Sequence, residues 1–482
     1  MVSKTKRALA LVLTGMMAAA SLAGCGGGGS TTSTPGGTTS TPAASTPTES
    51  KAEEGSSGEE SKSAAQAQDL FSESMTAQIK DMIAQEAAKT SNKVSLKAWC
   101  AADDIKFEKW LAEKFKAQYA DSRYTLDITF KPVEEPDVAG KVQADVSKAA
   151  DVFSFPDDQL RALVDTGCIA QVADLLNNNV IAENTDSSVE VCSIDGKPYA
   201  FPKTSDNGFF LYYDKRDLTD EDIATFDSIM TKANEKGKSV LYAMDNAWYN
   251  AGFFFAAGCT TEYDGSTQTT DFDSDKGLSA VKAMCHVAEF INKGLTPTGA
   301  NADVLAGFRN GKLSAAVTGT WNGPGIREAI GPENLGASKL PTVLMDGEQK
   351  QLWAFGGYKI EGVRSTTDYP NTAQLFAYYI TSAQSQKLRY SGAKDDSGTD
   401  ISRGLIPTNK EILATDELKS DAAAQAIEDQ RQFSLPQSKV GGKFWTPQGA
   451  LGGYIVGKSG ALTEAEMKEQ LTKTVSGFNA TT

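Results

Sequence analysis

The chain has 482 residues, of which 40% are hydrophobic and 23% are charged, as in an ordinary soluble protein with a sizeable core and two or more domains. The formal net charge of −15 argues against nucleic acid as a partner, because phosphate binding needs a basic surface. The single histidine, His286, leaves almost nothing for histidine acid–base chemistry or a His-rich metal site, and we expect neither a metal nor a cofactor.

The first 24 residues have the pattern of a signal peptide. Positive charges precede an apolar stretch at 8–20, which is too short for a bilayer span of about 20 residues. The stretch ends in L-A-G-C at 22–25, which resembles the lipobox of bacterial lipoproteins, whose cysteine is lipidated after cleavage. We therefore expect Cys25 to carry a lipid anchor, the alternative being an ordinary signal peptide followed by a chance cysteine.

Two more segments precede the folded part. Residues 25–63 are rich in Gly, Ser, Thr and Pro and have no apolar periodicity, which predicts a disordered tether. Residues 64–93 place Phe71, Ile79 and Ile83 on one helical face, which predicts an extra amphipathic helix. This helix either docks on the folded part or serves as a stiff spacer.

From Val94 onward, helical patterns alternate with short apolar strands, which predicts an α/β layered fold. The predicted elements are, in chain order, a strand at 94–99, a helix at 107–119, a strand at 124–130, a helix at 138–148, a strand at 151–155 and a helix at 160–165.

The segment GGYIVGKS at 452–459 matches the pattern of a phosphate-binding loop. That loop requires a strand before it and a helix starting at its Lys-Ser pair, and neither is predicted here. We expect Gly457 to end one helix and a capping box, Thr463 with Glu466, to begin the next.

The acidic run Asp271, Asp273 and Asp275 hints at a calcium loop, but the required Gly and Glu positions do not match. Capping of the following helix is the preferred interpretation, and a weaker calcium site stays open.

Five cysteines follow Cys25 and none forms a C-x-x-C pair. We interpret them as small core residues, with a single disulfide left open. They are Cys100, Cys168, Cys192, Cys259 and Cys285.

The aromatic residues outside periodic elements point to a binding cleft. Trp248, Trp321 and Trp445 stand in stretches rich in Gly, Pro and Asn, and Phe155 ends a strand just before Pro156. Flat rings stack on sugar rings, and nearby Asp, Asn and Gln side chains bridge hydroxyl groups. For each ring taken alone, core packing is the alternative.

Residues 94–478 resemble the maltose-binding-protein-like solute-binding proteins of bacterial ABC sugar importers. The resemblance rests on the order and spacing of several loose motifs. They are VSLKAWCAADDIKFEKWLAEKF, ADVFSFPDDQLRALVDTGCIAQV, DGKPYAFPKTSDNGFFLYYDK, GFRNGKLSAAVTGTWNGPGI, KLPT, GGYKI and RGLIPTNKE.

The resemblance implies a two-lobed α/β periplasmic-binding-protein fold with three crossover strands at the hinge. Lobe 1 would comprise 94–205 and 342–408, and lobe 2 would comprise 206–341 and 409–482. A ligand held between the lobes would close the hinge, and a membrane permease would recognise the closed form. The implied protein is a monomeric, non-enzymatic lipoprotein on the extracellular face of the bacterial membrane, with an oligosaccharide as its ligand, malto-oligosaccharide or similar first.

The resemblance also implies ligand-binding positions. Asp103, Asp158 and either Asp206 or Asn207 match polar contacts of the family. The stacking positions are matched by Phe155, Trp248, Trp321 and Trp445. Two polar contacts are altered, because Asn246 replaces a glutamate, and Gln448 or Gly449 stands where an arginine is expected.

Two other functions compete with solute binding. Adjacent carboxylates such as Asp157 and Asp158 permit a surface glycoside hydrolase, which needs two carboxylates about 5–10 Å apart. The tether permits an adhesive lipoprotein that binds no small molecule.

Overall fold

The computed structural model describes residues 70–479, so the predicted signal peptide, Cys25 and the tether lie outside the described residues. None of the helices within 70–479 is long and apolar enough to cross a membrane.

Eighteen α-helices, labelled α1 to α18 in chain order, are formed within residues 70–479. They are Glu73–Ala87, Ile105–Gln118, Val138–Ala144, Leu160–Asp165, Asp174–Glu183, Asp186–Glu190, Phe226–Glu235, Ala247–Ala256, Asp275–Ala288, Val304–Arg309, Gly323–Ile330, Pro370–Thr381, Ala383–Tyr390, Lys410–Leu413, Asp416–Ser420, Ala422–Arg431, Trp445–Gly457 and Glu464–Phe478.

Seventeen strands, labelled β1 to β17 in chain order, lie within the same range. They are Lys93–Cys100, Thr125–Pro132, Val152–Pro156, Ser193–Ile194, Lys197–Pro198, Ala200–Thr204, Phe210–Asp214, Ser239–Leu241, Thr261–Tyr263, Gln268–Thr270, Leu313–Thr318, Leu335–Ser338, Thr342–Met345, Glu348–Gln351, Ala354–Gly356, Lys359–Val363 and Ser434–Pro436.

The first sheet has the strand order β2-β1-β3-β16-β6 and forms the centre of lobe 1. β1 runs parallel to β2 and β3, whereas β16 runs antiparallel to β3 and β6. The alternation of β1 buries Val94, Leu96, Ala98 and Cys100, which explains why this stretch forms a strand. The three parallel strands β1, β2 and β3 therefore end at one edge of the sheet, and that edge faces the cleft described below.

The second sheet has the order β12-β7-β11-β8 and forms the centre of lobe 2. β7 runs antiparallel to β11 and β12, and β8 runs parallel to β11. Aromatic residues of helix α8, including Phe253 and Phe254, pack with Phe272 and Phe444 in the core of this lobe. The two-lobed α/β fold implied by the resemblance is thus confirmed.

Three chain passages connect the lobes, at 205–209, 357–358 and 403–409. The first and third are joined to each other, because Ser205 N donates to Ile406 O at 2.8 Å and Asp206 Oδ2 accepts from Ile406 N at 2.8 Å. Residues 342–356 belong with lobe 2, since Val343, Met345 and Phe355 lie in its core. The second passage therefore follows residue 356, later than the expected boundary at 342.

Helix α1 docks on lobe 1, which decides between the two roles considered for it. Ile79 and Ile83 are buried, and Glu86 is completely buried at the start of helix α12. The Glu86 carboxylate accepts bonds from Asn371 N and Thr372 N, both at 3.0 Å, so it caps that helix from outside. The segment is therefore an integral part of the lobe.

A cluster of buried charges lies inside lobe 1. Lys203 Nζ is 2.9 Å from Glu108 Oε1 and 3.0 Å from Glu361 Oε2, and Arg389 also contacts Glu108 at 2.9 Å. Burial raises the pKa of Glu361 to about 7, although the nearby Lys203 opposes that shift. The cluster connects β6, β16, α2 and α13, and its members depend on one another for charge compensation.

The remaining motifs have structural roles. Helix α17 ends at Gly457, and the capping box of Thr463 and Glu466 begins α18 as expected. Ser274 stands at the start of α9 without a side-chain capping bond, so the capping interpretation of the acidic run was wrong. No group of three potential metal ligands occurs within residues 70–479. All five cysteines of this range are buried and free of disulfides.

Candidate functional site

A cleft of about 820 Å³ lies between the lobes, within the range of small-molecule sites. Its lobe 1 wall is built by the segments that follow the carboxyl ends of the parallel strands. Asp103 follows β1, Glu134 and Glu135 follow β2, and Asp158 follows β3. Ligands of α/β sheets bind at this edge because the loops there converge, and the cleft obeys that rule.

The lobe 2 wall carries the aromatic residues. Trp248 stands at the start of α8, Trp321 follows β11, and Trp445 begins α17, and all three line the cleft. Each ring is half-buried, and the Trp248 and Trp321 ring centroids lie 5.9 Å apart. The sequence prediction that these three tryptophans share a cleft agrees with this geometry.

Trp248 is held in place by local and distant contacts. Asn246 caps α8, because its side-chain oxygen accepts from Trp248 N at 2.9 Å. The indole Nε1 donates to Gln437 Oε1 at 2.7 Å, and the ring packs edge-on against Phe209 with centroids 4.8 Å apart. Asn246 stands where the family resemblance implies a glutamate. Its side chain caps the backbone of α8, and the residue also lines the cleft.

The two cations that line the cleft are each paired with a carboxylate. Arg403 Nε donates to Asp104 Oδ1 at 2.7 Å, and Lys359 Nζ lies 2.9 Å from Glu135 Oε2. Burial has the largest single effect and works to raise the pKa of Asp104, but the combined positive charges of Arg403, Lys203 and Lys359 outweigh it and the pKa is lowered. The Lys359 ammonium also lies 5.7 Å from the centre of the Trp321 ring, a cation–π contact between the lobes.

The pKa values of the adjacent Asp157 and Asp158 are raised, in contrast to that of Asp104, which forms an ion pair with Arg403. Burial raises the pKa of Asp157 to about 6, and burial together with the neighbouring Asp157 raises that of Asp158 to about 8. Asp157 Oδ1 accepts from Tyr358 N at 2.7 Å and so holds the second passage between the lobes. Asp158 Oδ1 accepts from Gln437 Nε2 at 3.0 Å and faces the cleft.

Two of the predicted site residues, Phe155 and Asp206, do not line the cleft. Phe155 is completely buried in the core of lobe 1, beside Phe153, so it is unavailable as a stacking ring. Asp206 is 1% exposed and bonds the third passage and Thr320, whereas its neighbour Asn207 lines the cleft. Of the two alternatives at the first passage, the structure places Asn207 at the site.

Gln448 and Gly449, the two candidates for the arginine position after Trp445, differ in their placement. Gln448 is buried and its Nε2 donates to Asn250 Oδ1 at 2.8 Å, while Gly449 lines the cleft.

Several lining residues were missed by the sequence analysis. Glu134 and Glu135 follow a predicted strand. Because ligands of α/β sheets bind beyond the carboxyl ends of the strands, their position alone could have identified them as candidates. Lys359 and Arg403 stand inside the quoted motifs GGYKI and RGLIPTNKE but received no role. Gln437 carries no local signal, because its partners are distant in sequence.

Comparisons with known proteins agree with the fold. The family model described as bacterial extracellular solute-binding protein matches residues 110–426. A structure solved with acarbose is 26% identical, with a TM-score of 0.68, and the match covers 80% of this chain and 99% of that chain.

Two further structures show the same fold. The maltodextrin-binding protein MalE1 from L. casei BL23, solved without ligand, is 24% identical with a TM-score of 0.63, covering 81% of this chain and 100% of that one. MalX from Streptococcus pneumoniae, in complex with maltopentaose, is 19% identical with a TM-score of 0.63, covering 79% of this chain and 99% of that one. No curated protein sequence matches the chain.

Proposed function

The chain belongs to the bacterial extracellular solute-binding proteins, and from that premise we propose that it binds an oligosaccharide, malto-oligosaccharide first, and delivers it to an ABC importer. The family binds solutes without transforming them, so the chain is not an enzyme and the glycoside hydrolase alternative is set aside.

One observation carries the sugar proposal: Trp248, Trp321 and Trp445 converge on a single cleft together with Asp158 and Asn207. Aromatic faces stack on the C–H faces of pyranose rings, while carboxylate and amide groups bond the hydroxyls. The volume of about 820 Å³ accommodates more than one sugar ring. Structural relatives solved with acarbose and with maltopentaose support the same ligand class.

Delivery follows from the position of the cleft between the lobes. A ligand that contacts Asp103 and Asp158 on lobe 1 and the tryptophans on lobe 2 makes its full set of contacts only when the lobes are closed. This differential contact shifts the population toward closure, and the permease recognises the closed form.

Cys25 is the proposed point of attachment to the membrane. The L-A-G-C motif at 22–25 supports a diacyl-type anchor, which holds a protein at a bilayer far better than one acyl chain does. The protein would then act as a monomer on the extracellular face of the bacterial membrane. Replacing Cys25 by Ser should release the protein from membranes, which fractionation and mass spectrometry of the mature N-terminus would measure.

Calorimetry with purified protein tests the ligand class. We expect micromolar or tighter binding of a malto-oligosaccharide in a panel that also holds xylo-, manno- and fructo-oligosaccharides. Binding of only another sugar would change the ligand and keep the function. The absence of binding across the panel would contradict the sugar proposal and favour a polyol or another neutral solute, or the adhesive lipoprotein.

A further inference from the structure

Gln437 makes a three-way bridge on the cleft side of the hinge. Its Oε1 accepts from Trp248 Nε1 at 2.7 Å and from Asn207 Nδ2 at 3.2 Å, and its Nε2 donates to Asp158 Oδ1 at 3.0 Å. These groups belong to three separate parts of the fold. Gln437 follows β17 of lobe 2, Asp158 follows β3 of lobe 1, and Asn207 lies in the first passage between the lobes.

The chemistry of the four groups is matched. An indole N–H and the amide nitrogen of Asn207 can only donate, whereas Asp158 offers an acceptor. A glutamine side chain supplies one acceptor oxygen and one donor nitrogen. It therefore accepts from Trp248 and Asn207 and donates to Asp158 at the same time. Glutamate in the same place would keep the acceptor and lose the donor toward Asp158.

The bridge consists entirely of protein atoms, so its formation requires no ligand. Because it joins Asp158 of lobe 1 to Trp248 of lobe 2, it stabilises only arrangements in which the lobes are close. A contact made in one hinge state and lost in the other changes the balance of the two states by its full net free energy.

We propose that Gln437 is a positioning residue that holds the lobes in a partly closed arrangement before ligand arrives, by joining Asp158 to Trp248 and Asn207. This inference rests on the proposed function only in taking the cleft as the ligand site. The bridge then supplies part of the free energy needed to close the lobes before ligand binds. The affinity is therefore higher than the ligand contacts alone would give.

Two variants of Gln437 test the bridge in the full-length protein. Gln437→Ala removes all three bonds. Gln437→Glu, studied at pH 9, keeps the acceptor for Trp248 and Asn207 but places a carboxylate against Asp158. Gln432→Ala is the matched control, because Gln432 is an exposed glutamine of the same lobe that does not line the cleft.

Small-angle scattering without ligand should give a larger radius of gyration for both Gln437 variants than for the wild type and for Gln432→Ala. With saturating maltotetraose, we expect the wild type and Gln437→Ala to converge, with Kd for the variant weaker by about 3- to 30-fold. Thermal unfolding of each variant verifies that the comparison concerns folded protein.

The scattering result separates this inference from the proposed function. Equal radii of gyration for wild type and both Gln437 variants in the ligand-free state would overturn the bridge, whatever the sugars do. A wild type that binds no sugar would contradict the proposed function, while expansion of the Gln437 variants would still support the bridge.

Discussion

Truncation of Trp321 to alanine should weaken sugar binding through the loss of one stacking face. A fully buried aromatic side chain covers about 150–250 Å², and Trp321 is already half-buried beside Trp248. A sugar ring would therefore cover roughly 80–120 Å² more, which at about 25 cal/mol per Å² corresponds to about 2–3 kcal/mol. Allowing for rearrangement around the site, we expect a loss of about 1–3 kcal/mol, or about 5- to 150-fold in Kd.

Calorimetry with maltotetraose measures this loss, and Trp353→Ala provides the matched control. Trp353 is a half-buried tryptophan of the same lobe that packs against Phe433 and does not line the cleft. Its truncation should leave the Kd within about twofold of wild type. If Trp321→Ala bound as tightly as wild type, stacking on this ring would not contribute to binding, and our assignment of the cleft would be wrong.

Three further predictions concern stability. Lys203→Met should destabilise the fold by about 3–5 kcal/mol in denaturant titrations, because it leaves Glu361 without its buried ion-pair partner and Glu108 with Arg389 alone; a loss below 1 kcal/mol would contradict that role. Glu86→Ala should cost about 1–3 kcal/mol by uncovering the start of α12, and an unchanged unfolding midpoint would show that this carboxylate does not stabilise the start of α12. The pKa of Asp158, about 8 against the usual 3.8, means that the folded state holds the proton more tightly than the unfolded state, so this group's contribution to stability falls as pH rises from about 4 to about 8. Asp158→Asn should therefore show a flatter decline of unfolding free energy than wild type over that range, and parallel pH profiles would refute the shift.

The sequence predicted the first lobe well because its signals are local. Alternation in β1 and the helical face of α2 are each visible within a short window, and both elements occur close to their expected bounds. The tryptophans were predicted to line a cleft because Gly, Pro and Asn flank them, and all three do line it, although Trp248 and Trp445 lie in the first turns of α8 and α17. The local pattern predicted a binding cleft, and the family resemblance then implied the individual stacking positions.

Phe155 was misplaced because the position of a strand end does not determine which way a side chain faces. Both Phe153 and Phe155 are completely buried, and the chain reaches the cleft one residue later, at Pro156. A difference of one residue exchanges the two faces of a strand, and nothing local distinguishes a core phenylalanine from a stacking one.

Other polar residues of the site, Gln437 and Arg403 among them, could not be predicted because their placement depends on distant pairs. Gln437 and Asp158 are 279 residues apart in sequence, and Arg403 and Asp104 are 299 apart. Such pairs form only after both sheets and all three passages are in place. The buried cluster around Lys203 was missed for the same reason. A lysine near a strand end is expected at the surface, and its buried partners Glu108 and Glu361 are distant in sequence.

A crystal structure of the protein with maltotetraose tests the central claim most directly. Our account predicts sugar rings between the lobes, stacked on at least two of Trp248, Trp321 and Trp445, with hydroxyls bonded to Asp158 or Asn207. A sugar bound outside the cleft, or a cleft that stays empty under conditions where calorimetry shows binding, would contradict it.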